Sequence, residues 1–362
     1  MLRNICCLFV LWILCCCYFP CAAQISFSGK VVNDETGLPI AGASVYFNNT
    51  STGTISNTSG EFSFRAIKLV NTELIVSSIG YGILAFKPDA ATGNGKYFVC
   101  RLKVKTEALK EVLVLTDSHR KKWLDIFKRN FLGITEEASE SNIVNENDIY
   151  FSRGKDEYSF NAYSDTPLVI LNRMLGYKVS FQLIEFAYNE QNGSTYFYGY
   201  TRYEELGSKK RWTRNRCDAY LGSTLHFFRA LISDQLQEEG FDIYLLKNVQ
   251  LERGQSPMSI AARTSAAQIV SPDSAKLNSH RIHPGARLMV EYKKEPSTKY
   301  YLRRKVMVQG YIPVGFRAFI APFSDFFTID ENGILGAPLS VEFSGYWIYE
   351  KAANLLPYNY RP

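Results

Sequence analysis

Four histidines, His119, His226, His280 and His283, come first for chemistry, because imidazole is the commonest metal ligand and a general base near neutral pH. A zinc-hydrolase site of the His-x-x-Glu type adds a distant His and leaves one coordination position open for water. None of the four histidines is followed by Glu at that spacing. His280 and His283 sit three apart, which on a helix would put two imidazoles on one face, but Pro284 and Gly285 follow and argue for a loop. His226 lies in a helical pattern beside Phe227-Phe228 and reads as a core-edge or capping side chain. No Gly-x-Ser-x-Gly elbow exists, and Gly222-Ser223 stands at a helix start without a visible Asp partner. Carboxylates pair at Glu136-Glu137, Glu204-Glu205, Glu238-Glu239 and Asp330-Glu331. Glycosidases need two carboxyls facing across a cleft, whereas neighbours on a strand point to opposite faces. The expectation is no catalytic residue, no metal ligand and no cofactor.

The remaining chemistry is that of surfaces. Aromatic residues make up 14%, and much of the excess is alternating Tyr and Phe, as in Tyr196-Phe197-Tyr198-Gly199-Tyr200. Such runs pack sheets first and stack on sugars or partners second. The candidate partner or glycan contacts are Tyr196, Tyr198, Tyr200, Tyr203 and Trp212. Formal net charge is a modest +6, densest at His119-Arg120-Lys121-Lys122 and Arg303-Arg304-Lys305. Without a reader motif, that spread speaks against nucleic acid and for solvated faces or weak contacts with anionic polymers.

Residues 1–23 have the three parts of an export signal: Arg3, an apolar run from Ile5 to Phe19, and small residues at Cys21-Ala22-Ala23. Cleavage is expected before Gln24. The run is too short for a spanning helix of roughly 20 residues. Cys21 could instead carry a lipid anchor, although Phe19 and Pro20 before it fit that processing badly. Six of the eight cysteines lie in this segment, so Cys100 and Cys217 are left as separate thiols or as one bridge.

From Gln24 to Lys105 the apolar residues alternate with the period of half-buried strands, in Phe27 to Val31, Val45-Tyr46-Phe47 and Phe62-Ser63-Phe64. Turns fall at Thr36-Gly37-Leu38-Pro39 and Gly93-Asn94-Gly95, and Leu74-Ile75-Val76 and Tyr97-Phe98-Val99 supply further strands. This order resembles the carboxypeptidase regulatory-like domain, a transthyretin-like (prealbumin-like) all-β sandwich of many exported proteins of the Bacteroidota. The resemblance implies that Gly37 and Pro39 form the first turn, that Gly42-Ala43 opens the second strand, and that Gly60 with Phe62 and Phe64 begins a central strand. Ser77-Ser78-Ile79-Gly80-Tyr81 resembles the family's later strand and turn. Leu109 to Leu115 resembles the segment that follows this module, including in TonB-dependent transporters, whose barrel this chain is too short to hold. The module implies no peptidase, since the peptidase's own zinc motif is missing. Asp273-Ser274-Ala275 resembles the short O-glycosylation signal of exported proteins of that group, which makes Ser274 a candidate acceptor.

After a linker at 106–117, residues 118–362 read as an α+β domain with a mostly antiparallel sheet and packed helices. Ser118 is a plausible N-cap for a basic helix whose Trp123, Leu124, Phe127 and Phe131 share one face, with Gly133 as its stop. Gly176-Tyr177 marks a tight bend. Apolar residues from Tyr220 to Leu236 recur at helical spacing and predict one strong helix closed by Gly240. The sheet is expected from Phe241 to Leu246, Leu288 to Tyr292, Tyr300 to Val308, Phe326 to Ile329 and Leu339 to Phe343, with a turn at Asp330 to Gly333. Residues 256–285, polar and weakly patterned, read as a long loop or a mobile excursion.

These readings together predict a non-enzymatic cell-envelope protein, periplasmic or associated with the outer membrane, that binds an envelope protein or glycan, with membrane contact peripheral at most. The alternatives are a hydrolase whose site assembles only in the C-terminal fold, and a small outer-membrane β-barrel after Tyr177.

Overall fold

Seven strands build the first unit of the computed structural model, which describes residues 25–66, 72–88, 96–105, 115–249, 258–276, 278–294, 316–337 and 339–362. The export segment, the Gly93-Asn94-Gly95 turn, Leu109 to Val114, the Tyr300 to Val308 strand and Arg303-Arg304-Lys305 lie outside the described residues. The seven strands are β1 (Ile25–Asn33), β2 (Ser44–Phe47), β3 (Gly53–Ile55), β4 (Glu61–Ala66), β5 (Leu74–Ser77), β6 (Leu84–Phe86) and β7 (Tyr97–Leu102). They form two sheets, β4-β1-β7 and β3-β2-β5-β6. Alternate residues Phe27, Val31, Val45, Phe47, Leu74 and Val76 meet between the sheets, all 0% exposed, as the two-residue period requires. One detail differs from expectation: β4, the strand after Gly60, lies at a sheet edge, because β7 pairs parallel to the other side of β1 and makes β1 the centre.

Next come α1 (Asp117–Phe131) and α2 (Glu136–Ser139), then β8 (Ser141–Ile143), β9 (Tyr150–Arg153), β10 (Ser159–Tyr163), β11 (Leu168–Asn172), β12 (Tyr177–Asn189) and β13 (Thr195–Glu205). Helix α1 starts one residue before Ser118, with Thr116 at the N-cap, so Ser118 is not the cap. Its apolar stripe does face the core: Phe127 and Phe131 are fully buried, and Trp123 stacks on Phe160 at 4.6 Å. Strand β12 organises the sheet. It pairs along its length with β13 on one side, and on the other with β11 over Tyr177–Phe181 and β10 over Ala187–Asn189.

The single helix expected from Tyr220 to Leu236 is instead α3 (Lys210–Tyr220), α4 (Thr224–Ile232) and α5 (Leu236–Glu239). The chain breaks at Gly222 (φ +78°) and again at Asp234 (φ 56°), and α5 ends on left-handed Gly240 as expected. Tyr220 packs in the cluster under β12, whereas Phe227, Phe228 and Leu231 pack in a second cluster. One run of helical spacing thus serves two cores.

That second cluster lies against β14 (Phe241–Val249), β15 (Met258–Thr264), α6 (Ala266–Ile269), β16 (Val270–Pro272), β17 (Ser279–Ile282), β18 (Arg287–Tyr292), β19 (Phe316–Pro322), β20 (Phe327–Asp330) and β21 (Val341–Gly345). The antiparallel sheet runs β15-β14-β18-β19-β21, and β16-β17-β20 form a separate small sheet. The 256–285 stretch is therefore not a loop: its small and polar residues supply an edge strand, a helical turn and two short strands. Phe326 to Ile329 pairs in the small sheet and not in the large one. The described strands make open sheets with packed helices, which overturns the barrel alternative for these residues. Among the described residues, no helix is long and apolar enough to cross a membrane. Cys100 and Cys217 are free, and burial pushes the Cys100 thiol up to about 11.

Candidate functional site

The backbone of the sandwich is bonded to β13 and the C-terminal tail at a tight turn, Asn48 to Thr52, at the end of β2. Asn49 adopts a left-handed backbone (φ 55°), which Asn tolerates better than most residues. The turn lies along the outer edge of β13: Asn49 N donates to Thr201 O (2.7 Å), Tyr203 N donates to Thr50 O (3.0 Å), and Thr201 N donates to Asn48 Oδ1 (2.9 Å). The C-terminal tail closes over it, with Tyr358 N donating to Asn49 O at 2.6 Å and Asn359 Nδ2 donating to Ser51 Oγ at 2.9 Å. An otherwise open sheet edge, with its row of unpaired amides and carbonyls, is thereby capped by the sandwich.

This docking leaves a cleft of about 350 Å³ between the sandwich and the six-stranded sheet. Ser44, Ser77, Ser78 and Tyr81 line one wall, and Tyr163, Ser164 and Gln182 the other. At one end Lys105 Nζ meets Asp165 Oδ1 at 2.5 Å, and Tyr150 donates its hydroxyl to the same oxygen at 3.1 Å. Ile79, 75% exposed, stands on the rim. Hydroxyls, one amide, two tyrosine rings and a single ion pair stand beside Ile79, Ile83, Pro167, Leu183 and Ile184, a mixed lining that suits a ligand with both polar groups and apolar faces, and pockets of this size favour junctions between structural units. A second cleft of about 300 Å³ opens on the other side of the Asn48 turn, lined among others by Glu73, Lys87, Phe197 and Tyr198.

Of the aromatic residues singled out from the sequence, four tyrosines divide between the two faces of β13 and Trp212 lies in α3. Tyr196, Tyr198 and Tyr200 project from the outer face of β13, opposite Ala187, Glu185 and Gln182, and all are half-buried. The rings of Tyr198 and Tyr200 meet edge-on at 5.7 Å. Burial, then the hydrogen bond to Tyr200, push the Tyr198 hydroxyl well above the usual range, with Glu73 of the sandwich adding to the shift. Tyr203 and Trp212 are a correction: at 3% and 6% exposed they are core residues and offer no partner a surface. Tyr203 packs edge-on against Tyr177 at 5.5 Å, and the Trp212 indole N–H donates to Arg173 O at 2.9 Å. Ser274 sits exposed in a turn, preceded by Asp273, whose carboxyl accepts from Ala275 N and Arg281 Nε.

Most of the other candidate groups have structural roles. His280 is in strand β17 and not in a loop, with its Nδ1 buried and without a hydrogen-bond partner among the described residues, and His283 packs on Phe326 at 5.3 Å. At least one carboxylate of three of the pairs is engaged: Glu137 accepts from Asn354, Glu204 meets Lys178 and Arg202, Glu205 meets Arg216, and Asp330 accepts from the Asn332 and Ile334 amides. Among the described residues, no three His, Cys, Asp or Glu side chains come together as a metal site. Ser223 Oγ donates to Tyr220 O and caps α4, so its hydroxyl is not directed at the neighbouring imidazole.

His226 is a structural joint. Its Nδ1 accepts from Gly222 N and its Nε2–H donates to Glu239 Oε2, both at 2.9 Å, which sets the tautomer. The ring is 2% exposed between Tyr220 and Phe241. Burial holds its pKa below the usual histidine value, partly offset by Glu239. The unfolded chain therefore binds a proton more readily than the folded one. Its contribution to stability is complete above about pH 6.5 and is lost as pH falls through the depressed folded value. Thermal unfolding of the parent should weaken over that descent, and His226→Gln should flatten it; parallel curves for the two proteins would remove His226 as the cause.

The docking contacts lay beyond sequence reading: Asn48, Asn49 and Thr50 resemble any polar turn, and their partners are some 150 or 300 positions away. Residues 27–114 match the family model of the CarboxypepD_reg-like domain. No curated protein matches the chain. Among solved structures, the chain is similar to a protein of unknown function from Bacteroides fragilis, provisionally described as membrane-associated. That similarity has 10% identity and a TM-score of 0.18, and covers 44% of this chain and 64% of the other. The chain thus spans less than two thirds of that neighbour's length, and the likeness carries no argument about fold or function. On its strands, its two facing sheets and the family match, the chain carries a carboxypeptidase regulatory-like β-sandwich, a non-catalytic module, at residues 27–114.

Proposed function

We propose that this chain is a non-enzymatic protein of the cell envelope, periplasmic or associated with the outer membrane. In this reading the β-sandwich and an α+β remainder together bind a protein or glycan partner. The observation that carries it is the docked sandwich. A module held by backbone bonds to a sheet edge and to the C-terminal tail forms one wall of a cleft of mixed polar and apolar lining instead of swinging on a tether. The non-catalytic family of the module and the structural roles of His226, Glu137, Glu204, Glu205, Glu239 and Asp330 support binding over turnover. The export signal read from residues 1–23 supports the compartment.

Site-specific photocrosslinking in intact cells tests the reading. A photoreactive residue at Ile79, on the rim, should capture one envelope component in high yield. The same residue at Phe323, which is 68% exposed and does not line the cleft, should not. Peptide or saccharide in the crosslinked product identifies the class of partner. Equal, diffuse capture from both positions would sink the cleft as the binding site.

A further inference from the structure

The N-terminal end of α3 carries a second surface, independent of the cleft. Lys209, Lys210, Arg211 and Arg214 are exposed there, and Arg173 is exposed beside them, placed by the bond from Trp212 Nε1 to its carbonyl. None of the five forms an ion pair with a described residue. The nearest carboxylates on β13 are already engaged, Glu204 by Lys178 and Arg202, and Glu205 by Arg216. Asp218, one turn along α3 from Arg214, forms no ion pair either, and the first turn of the helix holds no acidic residue. Lys209 and Arg211 flank the Trp212 ring, 4.8 and 5.9 Å from its centre. Leu206, 43% exposed, lies at the same end.

Five unneutralised cations around one apolar side chain, in a chain of net charge only +6, call for an anionic counterpart. Its shape follows from the spacing. Successive helical residues point about 100° apart, so Lys210 and Arg211 diverge, while Lys209, in extended backbone at the N-cap, lies with Arg211 against the Trp212 ring; cations splayed in this way do not converge on one small anion as a bidentate site would. A fan of long cations matches a plane of charge, with the heads among phosphates and the stems and Leu206 at the interface. We propose that this end of α3 docks on an anionic lipid surface, holding the protein peripherally against a membrane.

The test is co-sedimentation of the chain from Gln24 onward, which holds every described residue, with vesicles of phosphatidylcholine alone or mixed with phosphatidylglycerol. Binding should require the anionic lipid and fall with added salt. A cation near such a surface contributes about fivefold in partitioning, so Lys210→Gln/Arg214→Gln should bind roughly 25-fold more weakly. That variant spares the two cations on Trp212, and an unchanged melting temperature verifies its fold. Lys121→Gln/Lys122→Gln, on α1, should bind like the parent. Three results would overturn the proposal: equal binding to neutral vesicles, parent-like binding by Lys210→Gln/Arg214→Gln, or capture by soluble polyglutamate in preference to vesicles, which would mark an acidic protein as the partner.

Discussion

Replacing Arg229 with alanine should destabilise the protein by about 3 kcal/mol and release its C-terminal tail. The guanidinium leaves α4 and spends all three nitrogens on carbonyls: Nε on Asn332 (2.9 Å), Nη1 on Tyr360 (3.0 Å) and Nη2 on Tyr358 (2.9 Å). Tyr360 O would keep a partner, because Arg361 Nη1 also reaches it at 2.9 Å. The short bonds to Asn332 O and Tyr358 O would be lost, and a hydrogen bond to a charged group contributes about 1.5–3 kcal/mol. The effect reaches further than α4, since Tyr358 is also the residue whose amide holds the Asn49 turn of the sandwich. Hydrogen exchange should therefore accelerate at Tyr358 and at Thr201 on β13, far away in sequence. Arg229→Lys should fall between the two, because one compact ammonium cannot serve three divergent acceptors. Unchanged exchange at Thr201 in Arg229→Ala would show that the tail does not help to hold the sandwich.

Gly176→Ala should cost about 3 kcal/mol through two separable effects. The turn between β11 and β12 presents four successive carbonyls to one face of α3. Trp212 Nε1 donates to Arg173 O, Asn215 Nδ2 to Met174 O, Arg216 Nε to Leu175 O, and Arg216 Nη2 to Gly176 O, at 2.9, 2.8, 2.7 and 3.0 Å. The Arg216 guanidinium also lies 3.9 Å over the Tyr177 ring. Gly176 has φ +69°, and a Cβ there would stand 2.2 Å from Trp212 Cδ2. Left-handed backbone costs a side-chain-bearing residue about 1–2 kcal/mol, and overpacking a fixed ring adds about 1–3. Gly193 isolates the first effect, since its φ is +70° and a Cβ there would meet nothing within 4 Å. Gly193→Ala should cost only about 1 kcal/mol. Equal melting shifts for the two variants would show that Trp212 yields, and that α3 is not clamped as tightly as its four bonds indicate.

Local patterning was readable where one residue's environment is set by near neighbours. The alternation of Phe27, Val31, Val45 and Phe47 names the inward face of the sandwich, because strand period alone decides it. The stripe of Trp123, Phe127 and Phe131 likewise finds its core, and Gly240 its left-handed cap. The same reasoning failed at Tyr220 to Leu236. Periodicity reports that a face is buried but not against which core, so two helices serving different clusters looked like one. It failed also over 256–285, where short strands of small and polar residues gain their order from pairing, β15 with the neighbouring β14 and β17 with the more distant β20.

The candidate site shows the same division. Sequence offered the alternating tyrosines and Trp212 as candidate contacts and could not tell which would be covered, so Tyr203 and Trp212 stood beside Tyr198 as candidates. The cleft depends on contacts between Asn48 and Thr201, and between Ser51 and Asn359, whose residue types carry no mark of their partners. Residue type and spacing were enough for the module, its strands and the missing zinc motif, because these are properties of short range along the chain. Which edge the sandwich caps, which aromatics stay in reach of a ligand, and which cations are left without a carboxylate came only with the fold, because each depends on tertiary contacts, from Trp212 to Arg173 some 40 positions away to Asn48 and Thr201 some 150 apart.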